Sequence, residues 1–448
     1  MPVARSIITL AMLSCLTASA TAQLDPRGQP EAAGLVQERE TVTTGEEMVV
    51  TAHPRATEAG ARILAAGGSA VDAMIAAQLV LNLVEPQSSG IGGGAFLIHH
   101  DAMTVETRAY DGRETAPMAA GEGLFLDETG EPMPFREALV GGRAVGTPGL
   151  VRLLEAAHEA HGILPWERLF EPAIALAREG FPVSARLAGL LAGDETLARD
   201  PAARAVFHPE GRPLREGEIL RNPVFAETLQ TLAREGADAF YEGRIAMEIV
   251  AAVHEHPDNP GLLAEEDLAG YAVQIREPVC FPFRAYEICG MGPPSSGALA
   301  VGQILGLMEH FDLAGLDPAG ADMAHLFAEA SKLAFADRAL YVADADHVSV
   351  PVVGMLDRSY LTARAQLIDR DRAGEDVAPG NPPWRDARMQ APDPGMTSRG
   401  TTHLSIVDAA GNVVSMTSTI ESGFGARIMA AGFLLNNQLT DFSFRPAV

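Results

Sequence analysis

The sequence is short of positive charge. It contains 33 lysine and arginine residues against 59 aspartate and glutamate residues, a formal net charge of −26 over 448 residues. No basic run with interleaved aromatic residues occurs, so we expect no nucleic-acid partner. An acidic protein also gains nothing from an anionic membrane surface. The simplest interpretation of the acidic excess is solubility.

Long apolar runs suited to a membrane span are also lacking. The run at residues 7–13 is too short to cross a bilayer. It follows Arg5 and precedes a small-x-small sequence at residues 20–22, which predicts a signal peptide over residues 1–22. We therefore expect a periplasmic or secreted protein without a membrane anchor.

Cysteine is scarce, with three residues, and Cys15 lies inside the predicted signal. Cys280 and Cys289 remain in the mature chain. In an oxidising compartment they would form one bridge, and otherwise they would be two buried thiols; the sequence leaves both open. Aromatic residues make up only 6%, but apolar residues make up 47%, which is typical of a globular protein. The length allows one large domain or two to three smaller ones.

Two helices are predicted ahead of a glycine-rich turn. After a strand at residues 48–52, Thr57 is expected to open a helix that ends at Gly67 and Gly68. Ser69 is expected to cap the next helix. Its residues are apolar nearly all round, which predicts a buried helix.

The glycine-rich turn resembles a dinucleotide fingerprint only superficially. Gly90, Gly92 and Ala95 match G-x-G-x-x-A, but that fingerprint follows a strand and opens a helix. Here a helix precedes and a strand follows. No nucleophile elbow surrounds Ser88 and Ser89. We expect a tight turn whose backbone lines a pocket.

Later segments suggest scaffold and linker. Residues 141–270 are mostly helical in pattern, and residues 279–288 indicate a strand. A helix is expected over residues 298–308 and another over residues 321–343. From residue 373 to residue 400, proline and glycine fall among charged residues, which predicts an exposed, mobile linker.

A β-hairpin is predicted directly after that linker. Two β-branched runs, residues 401–407 and 413–419, flank a three-residue loop in which Gly411 takes the left-handed conformation. This register places Thr401 opposite Thr419, with Cβ atoms roughly 5 Å apart. Two threonine hydroxyls would then meet at the mouth of the hairpin.

The position of Thr401 suggests nucleophilic chemistry. If the Gly400–Thr401 bond were cut, the free α-amine would be a base beside its own hydroxyl. Before cutting, the same hydroxyl could attack the Gly400 carbonyl. The alternative is that threonine is simply common in strands. Arg113 likewise suggests a carboxylate clamp, or only a surface ion pair with Asp111 or Glu114.

Five motifs together resemble the γ-glutamyltranspeptidase family of N-terminal-nucleophile hydrolases. They are SGIGGG (residues 89–94), RETAP (113–117), PPSSG (293–297), TTHLS (401–405) and LLNNQLTDF (434–442). The resemblance implies an α+β fold, the αββα four-layer sandwich. It also implies a transferase or hydrolase that acts on glutathione and other γ-glutamyl amides without a metal or organic cofactor.

The resemblance also assigns residue roles. Thr401 matches the nucleophile and autoprocessing site after Gly400, and Thr419 matches its supporting threonine. Arg113 matches the residue that binds the substrate α-carboxylate. The residues matching those that hold the α-amino group are Glu421, Gln438 and Asp441.

Domain organisation is expected to follow self-cleavage. Residues 23–400 would be the large-subunit portion and residues 401–448 the start of a small subunit, joined as a heterodimer. The family's small subunit is longer, so we expect a truncated chain and a sandwich incomplete at its C-terminus. Two alternatives stay open: a cephalosporin (glutaryl) acylase-like member, and a catalytically inactive remnant.

Overall fold

The computed structural model describes residues 41–375, 377–384 and 400–445, so the predicted signal peptide lies outside the described residues. Twelve strands are found in these ranges. They are β1 (Met48–Val50), β2 (Gly94–Asp101), β3 (Glu106–Gly112), β4 (Phe181–Pro182), β5 (Ile219–Leu220), β6 (Gln274–Arg276), β7 (Val279–Phe283), β8 (Tyr286–Gly290), β9 (Thr401–Val407), β10 (Val413–Thr419), β11 (Met429–Ala430) and β12 (Phe433–Leu434).

One six-stranded antiparallel sheet dominates the architecture, in the order β1-β9-β10-β2-β3-β6. The predicted hairpin therefore lies near the middle of the sheet although it comes last in the chain. The other strands within the described ranges form two-stranded pairs, so these residues do not build the second sheet of the expected sandwich.

The predicted hairpin register is confirmed. Thr401 pairs with Thr419, and Gly411 has a φ of 88°. Asp408 stabilises the loop because its carboxylate accepts hydrogen bonds from the N–H groups of Ala410 (3.0 Å) and Asn412 (2.9 Å). It also accepts one from Ala70 N–H at 3.0 Å, which ties the loop to the start of a buried helix.

Fifteen α-helices are found in the described ranges. They are α1 (Pro54–Ala65), α2 (Ala70–Val84), α3 (Phe135–Leu139), α4 (Leu150–His161), α5 (Trp166–Glu179), α6 (Ala185–Gly193), α7 (Pro201–Phe207), α8 (Pro223–Glu235), α9 (Asp238–Tyr241), α10 (Arg244–His254), α11 (Glu265–Ala269), α12 (Gly297–Met308), α13 (Ala321–Tyr341), α14 (Val352–Met355) and α15 (Arg358–Ala365). The mixture of helices and sheet confirms the α+β class. Among the helices in these ranges, none combines the length and the apolar composition that a membrane span requires.

The first helix begins earlier than predicted, whereas the second has the predicted cap and burial. The first begins at Pro54 rather than Thr57, because the His53 side chain caps it and proline suits the first helical turn. The second is capped by Ser69 in a reciprocal capping box with Asp72, and all its residues are buried. It lies between the sheet and α5, which explains its apolar circumference.

The core faces one side of the sheet. Leu404, Ile406, Val414 and Met416 alternate along β9 and β10 and are buried against α2. The opposite face of the hairpin is polar and includes the exposed Thr401. The hydrophobic pattern therefore decides on which face of the sheet Thr401 lies.

The segment at residues 279–288 is not one strand. It turns at Arg284, whose φ is 56°, and forms the pair β7 and β8. Cys280 and Cys289 are cross-strand partners, and their Sγ atoms are 2.06 Å apart. Of the two open alternatives, the structure has the disulfide.

The prediction of an exposed, mobile linker over residues 373–400 is partly wrong. Its described portion around Gly380 lies against α13 and α15, held by hydrogen bonds from Tyr341 Oη to Gly380 O (2.7 Å) and from Gly380 N to Asp337 (2.7 Å). The Trp384 ring contacts Tyr341 edge-on. These contacts form because α13 presents buried polar groups. The pattern of proline, glycine and charged residues in the segment does not indicate them. Residues 376 and 385–399 lie outside the described residues.

Candidate active site

The mouth of the hairpin holds a chain of hydroxyl and carbonyl groups. Thr401 Oγ1 donates to Thr419 Oγ1 at 3.3 Å, and Thr419 Oγ1 donates to the Gly400 carbonyl oxygen at 2.6 Å. Glu421 N–H donates to the same Thr419 hydroxyl at 2.8 Å. Thr419 therefore orients the Thr401 hydroxyl and polarises the carbonyl that precedes Thr401.

Gly400 is buried where no side chain fits. A Cβ atom there would come within 2.8 Å of the Glu421 carbonyl oxygen and 2.9 Å of the Gly423 nitrogen. Contacts under about 3 Å to backbone atoms require the backbone to move. The glycine thus allows the peptide bond to Thr401 to lie against the loop after β10.

Arg113 directly follows β3 and reaches the C-terminal motif. Its Nη2 lies 2.5 Å from Oδ2 of Asp441, and its guanidinium lies over the Phe96 ring, 5.7 Å from the centroid. Tyr271 Oη donates to the Arg113 carbonyl oxygen at 2.7 Å. The predicted alternative, a side-chain ion pair with Asp111 or Glu114, is not the contact formed. Asp111 accepts the Arg113 backbone N–H, and its own ion pair is with Arg276.

Gln438 joins the two acidic residues of the site. Its Nε2 donates to Glu421 Oε2 at 2.6 Å and to Asp441 Oδ2 at 2.8 Å. Glu421 has a φ of 76°, a conformation uncommon outside glycine, in the loop that follows β10. That local strain at a polar site is typical of a functional loop. The structure thus brings together all four residues predicted to bind substrate.

The glycine-rich turn supports the hairpin through its backbone. A Cβ on Gly93 would meet the Thr419 carbonyl oxygen at 2.1 Å, and a Cβ on Gly92 would meet the Leu434 carbonyl oxygen at 2.2 Å. The Ser89 hydroxyl is buried and hydrogen-bonded by Gln78. The predicted tight turn, whose backbone lies close to neighbouring segments, is confirmed. The contacts of the Ser89 hydroxyl are structural.

Two asparagines in the C-terminal motif were not assigned a role by the sequence analysis. Asn436 Nδ2 donates to the carbonyl oxygens of Gly92 and Gly146, both at 2.8 Å. Asn437 Nδ2 donates to the Ser422 hydroxyl at 2.7 Å, beside Glu421. The sequence signal for their role is that they directly precede Gln438 in the same motif. They position the glycine-rich turn and the Glu421 loop.

Glu114, which the sequence suggests only as a possible ion-pair partner of Arg113, is a buried member of the site. The residue is 8% exposed. Burial raises the pKa of Glu114 to about 7, against the lowering effect of the Arg113 charge. A single glutamate beside an arginine gives no sequence signal that it will be buried.

Comparisons with known proteins agree with this geometry. A family model described as gamma-glutamyltranspeptidase matches residues 56–447. A glutathione hydrolase proenzyme of Bacillus subtilis (strain 168) is 40% identical over 418 residues, which cover 91% of this chain and 70% of the relative.

Solved structures show the same fold. Helicobacter pylori gamma-glutamyltranspeptidase matches with a TM-score of 0.71 and 35% identity, covering 77% of this chain and 97% of that chain. A cephalosporin acylase from Bacillus halodurans matches with a TM-score of 0.77 and 29% identity, covering 92% and 72% respectively. These neighbours confirm the predicted fold class.

Proposed function

Because the chain belongs to the γ-glutamyltranspeptidase family, we propose that it is an autoprocessed γ-glutamyltransferase and glutathione hydrolase. Thr401 would become its N-terminal nucleophile and pass the γ-glutamyl group to water or to an amino-acid or peptide acceptor. The observation that carries the proposal is the hydrogen-bond chain from Thr401 through Thr419 to the Gly400 carbonyl oxygen.

Self-cleavage follows from that chain. The Thr401 oxygen attacks the Gly400 carbonyl carbon, while Thr419 stabilises the negative charge that develops on the carbonyl oxygen. The C–N bond then breaks, the nitrogen gains the proton lost by the hydroxyl, and an ester joins Gly400 to Thr401. Water hydrolyses the ester, which releases the Gly400 carboxylate and leaves Thr401 with a free amine.

Turnover uses the group that cleavage creates. The α-amine of Thr401, with an ordinary pKa of roughly 7.7–8.0, accepts the hydroxyl proton when Thr401 attacks a γ-glutamyl amide. The leaving amine departs protonated, and an acyl-enzyme remains. Water or an acceptor amine then takes the γ-glutamyl group from Thr401.

The charged cluster suits a γ-glutamyl group. Its α-carboxylate would take the place of Asp441 on the Arg113 guanidinium, and its ammonium would lie among Glu421, Gln438 and Asp441. The resident ion pair thus separates into two contacts with a zwitterion. Charge-assisted hydrogen bonds of this kind are the stronger ones in proteins.

Cleavage should leave the two pieces associated. Strands β9 and β10 lie between β1 and β2 in one sheet. Further along, Asn222 Nδ2 donates to Gly432 O at 2.8 Å and Thr228 Oγ1 donates to Ala431 O at 2.7 Å. These buried contacts support a large and small subunit that remain a heterodimer.

Export is a further part of the proposal. It is supported by the signal-like sequence at residues 1–22 and by the disulfide between Cys280 and Cys289, which persists in oxidising compartments. Mass spectrometry of the protein from periplasmic and cytoplasmic fractions tests it. A mature N-terminus at Gln23 in the exported fraction is expected, and an unprocessed Met1 found only in the cytoplasm would refute it.

The acylase alternative is separated by substrate chemistry. A glutaryl group has no ammonium to place against the Glu421 and Asp441 carboxylates, which favours a γ-glutamyl substrate. Turnover of γ-glutamyl-p-nitroanilide should exceed that of glutaryl-p-nitroanilide, and the reverse order would favour the acylase.

Denaturing electrophoresis separates the enzyme from an inactive remnant. Purified wild type should give two bands split at Gly400–Thr401, while Thr401→Ala should remain one band. A wild type that stays intact as fully as Thr401→Ala would refute self-processing.

A further inference from the structure

The side chain of Glu114 is enclosed beside the backbone of Gly94 and Gly146. Both carboxylate oxygens are shielded from solvent and have no well-formed hydrogen bond within the described residues. A Cβ atom on Gly94 would come within 2.4 Å of Glu114 Oε2 and 2.8 Å of Cδ, so the carboxyl group lies against the Gly94 backbone. Gly94 pairs with Thr419 in the sheet. The Glu114 carboxyl group therefore lies beside the strand position that pairs with Thr419 at the mouth of the hairpin.

Several carboxylates near Glu114 interact with the same arginine, Arg113. The positive charge of Arg113 acts on Glu114, and Asp441 adds a like charge from the C-terminal motif. Glu421 and Asp111 also act on Arg113. The phenol of Tyr271 also interacts electrostatically with the carboxylates of Asp111 and Glu114. The Arg113 guanidinium is already bonded to Asp441, so it is a shared counter-ion for several carboxylates.

We propose that Glu114 is a proton-linked positioning residue that controls how strongly Arg113 binds a substrate carboxylate. When Glu114 is neutral, Arg113 can give its charge to the incoming α-carboxylate. When Glu114 is ionised, it competes for the same guanidinium from a position that ligand cannot reach. Glu114 acts through Arg113 and does not touch the reacting atoms. The inference rests on the proposed function for the identity of the ligand.

The electrostatics support this assignment. Burial is the main cause that raises the pKa of Glu114 to about 7, and the nearby charge of Asp441 adds to it. Arg113 and the N–H groups of Glu114 itself and Gly94 act in the opposite direction. The group therefore changes charge close to neutral pH. An anionic ligand on Arg113 stabilises the neutral form, so binding should take up a proton.

The test is calorimetric titration of the processed wild-type protein with L-glutamate at pH 7, in two buffers with different ionisation enthalpies. We expect an uptake of roughly half a proton per glutamate, since a group with a pKa near 7 is half ionised there. The affinity should weaken above pH 7 by up to about tenfold per pH unit. Glu114→Gln should remove both effects. Glu106→Gln, an exposed change on β3, should behave as wild type.

The outcomes are distinct. Glutamate binding with equal proton uptake in wild type and Glu114→Gln overturns the inference and leaves the proposed function intact. Absence of glutamate binding in wild type that has cleaved itself refutes the substrate assignment and this inference together. If Glu114→Gln fails to fold, wild-type uptake decides alone: a value of zero between pH 6 and pH 8 overturns the inference.

Discussion

The Thr419 hydroxyl donates a 2.6 Å hydrogen bond to the carbonyl oxygen of Gly400, the residue before Thr401. The same hydroxyl accepts from Thr401 Oγ1. One side chain thus contacts both the attacking oxygen and the carbonyl to be attacked. The arrangement explains how an ordinary strand threonine could act on its own peptide bond.

Thr419→Val should slow self-cleavage by roughly 10²–10³, the usual cost of losing one donor to a developing oxyanion. Valine keeps the shape and removes the hydroxyl. The rate is followed by loss of the intact band on denaturing gels. Thr417→Val is the matched control, because that hydroxyl contacts His403 instead of Gly400. Cleavage of Thr419→Val at the wild-type rate would contradict the role assigned to Thr419.

Gly400→Ala should also impair self-cleavage. The added Cβ would meet the backbone of Glu421 and Gly423 within 3 Å, so the scissile bond must shift away from Thr419. We expect slower conversion to two bands with only a small change in thermal stability. Gly189→Ala is a control, because a Cβ there meets nothing within 4 Å. Unchanged cleavage of Gly400→Ala would show that the tight position of Gly400 is not required.

Arg113→Lys should weaken substrate binding without affecting self-cleavage. Loss of charged hydrogen bonds worth about 1.5–3 kcal/mol corresponds to a rise in KM of roughly tenfold to a hundredfold. Steady-state kinetics with γ-glutamyl-p-nitroanilide measure it. Arg108→Lys, an exposed change on β3, the strand that precedes Arg113, should leave KM as in wild type. An unchanged KM in Arg113→Lys would remove Arg113 from the binding site.

Asp337→Asn should destabilise the helices α12, α13 and α15. The buried Asp337 carboxylate accepts hydrogen bonds from Gln303, Tyr360 and Arg364, and loss of its charge leaves the Arg364 guanidinium buried without a counter-ion. Breaking such a pair costs about 3–5 kcal/mol. Urea unfolding measures the loss. Asp322→Asn, exposed on the same helix, should be nearly neutral, and equal stability of both variants would refute the prediction.

Stability should fall as the pH drops from about 6.5 towards about 4. Burial and the neighbouring His161 ring, stacked at 3.7 Å, lower the pKa of His99 to about 4 from its ordinary 6.5. In that window the unfolded chain binds a proton that the folded chain does not, so acid favours unfolding. Melting temperatures of His99→Gln should depend less on pH than those of wild type. The melting temperature of His347→Gln, an exposed change, should depend on pH as in wild type. If the pH dependence of the melting temperature is equal in His99→Gln and wild type, the role of His99 is contradicted.

Local patterns in the sequence predicted much of the fold near the site. The register of the hairpin followed from loop length and Gly411, and the burial of α2 followed from its apolar circumference. The two errors have different causes. His53 caps α1 by accepting a hydrogen bond from Arg55 N–H, although histidine is not among the usual capping residues. The chain near Gly380 is held by α13, which is distant in sequence.

By itself the sequence determined that two threonine hydroxyls meet at Thr401 and Thr419, because strand period and turn geometry act over a few residues. Only the tertiary structure decided which charges meet. Arg113 and Asp441 are 328 residues apart, and their contact depends on the packing of the sheet against the C-terminal motif. The burial of Glu114 against Gly94 also arises from long-range packing. Burial sets the pKa of a carboxyl group, and no local pattern encodes it.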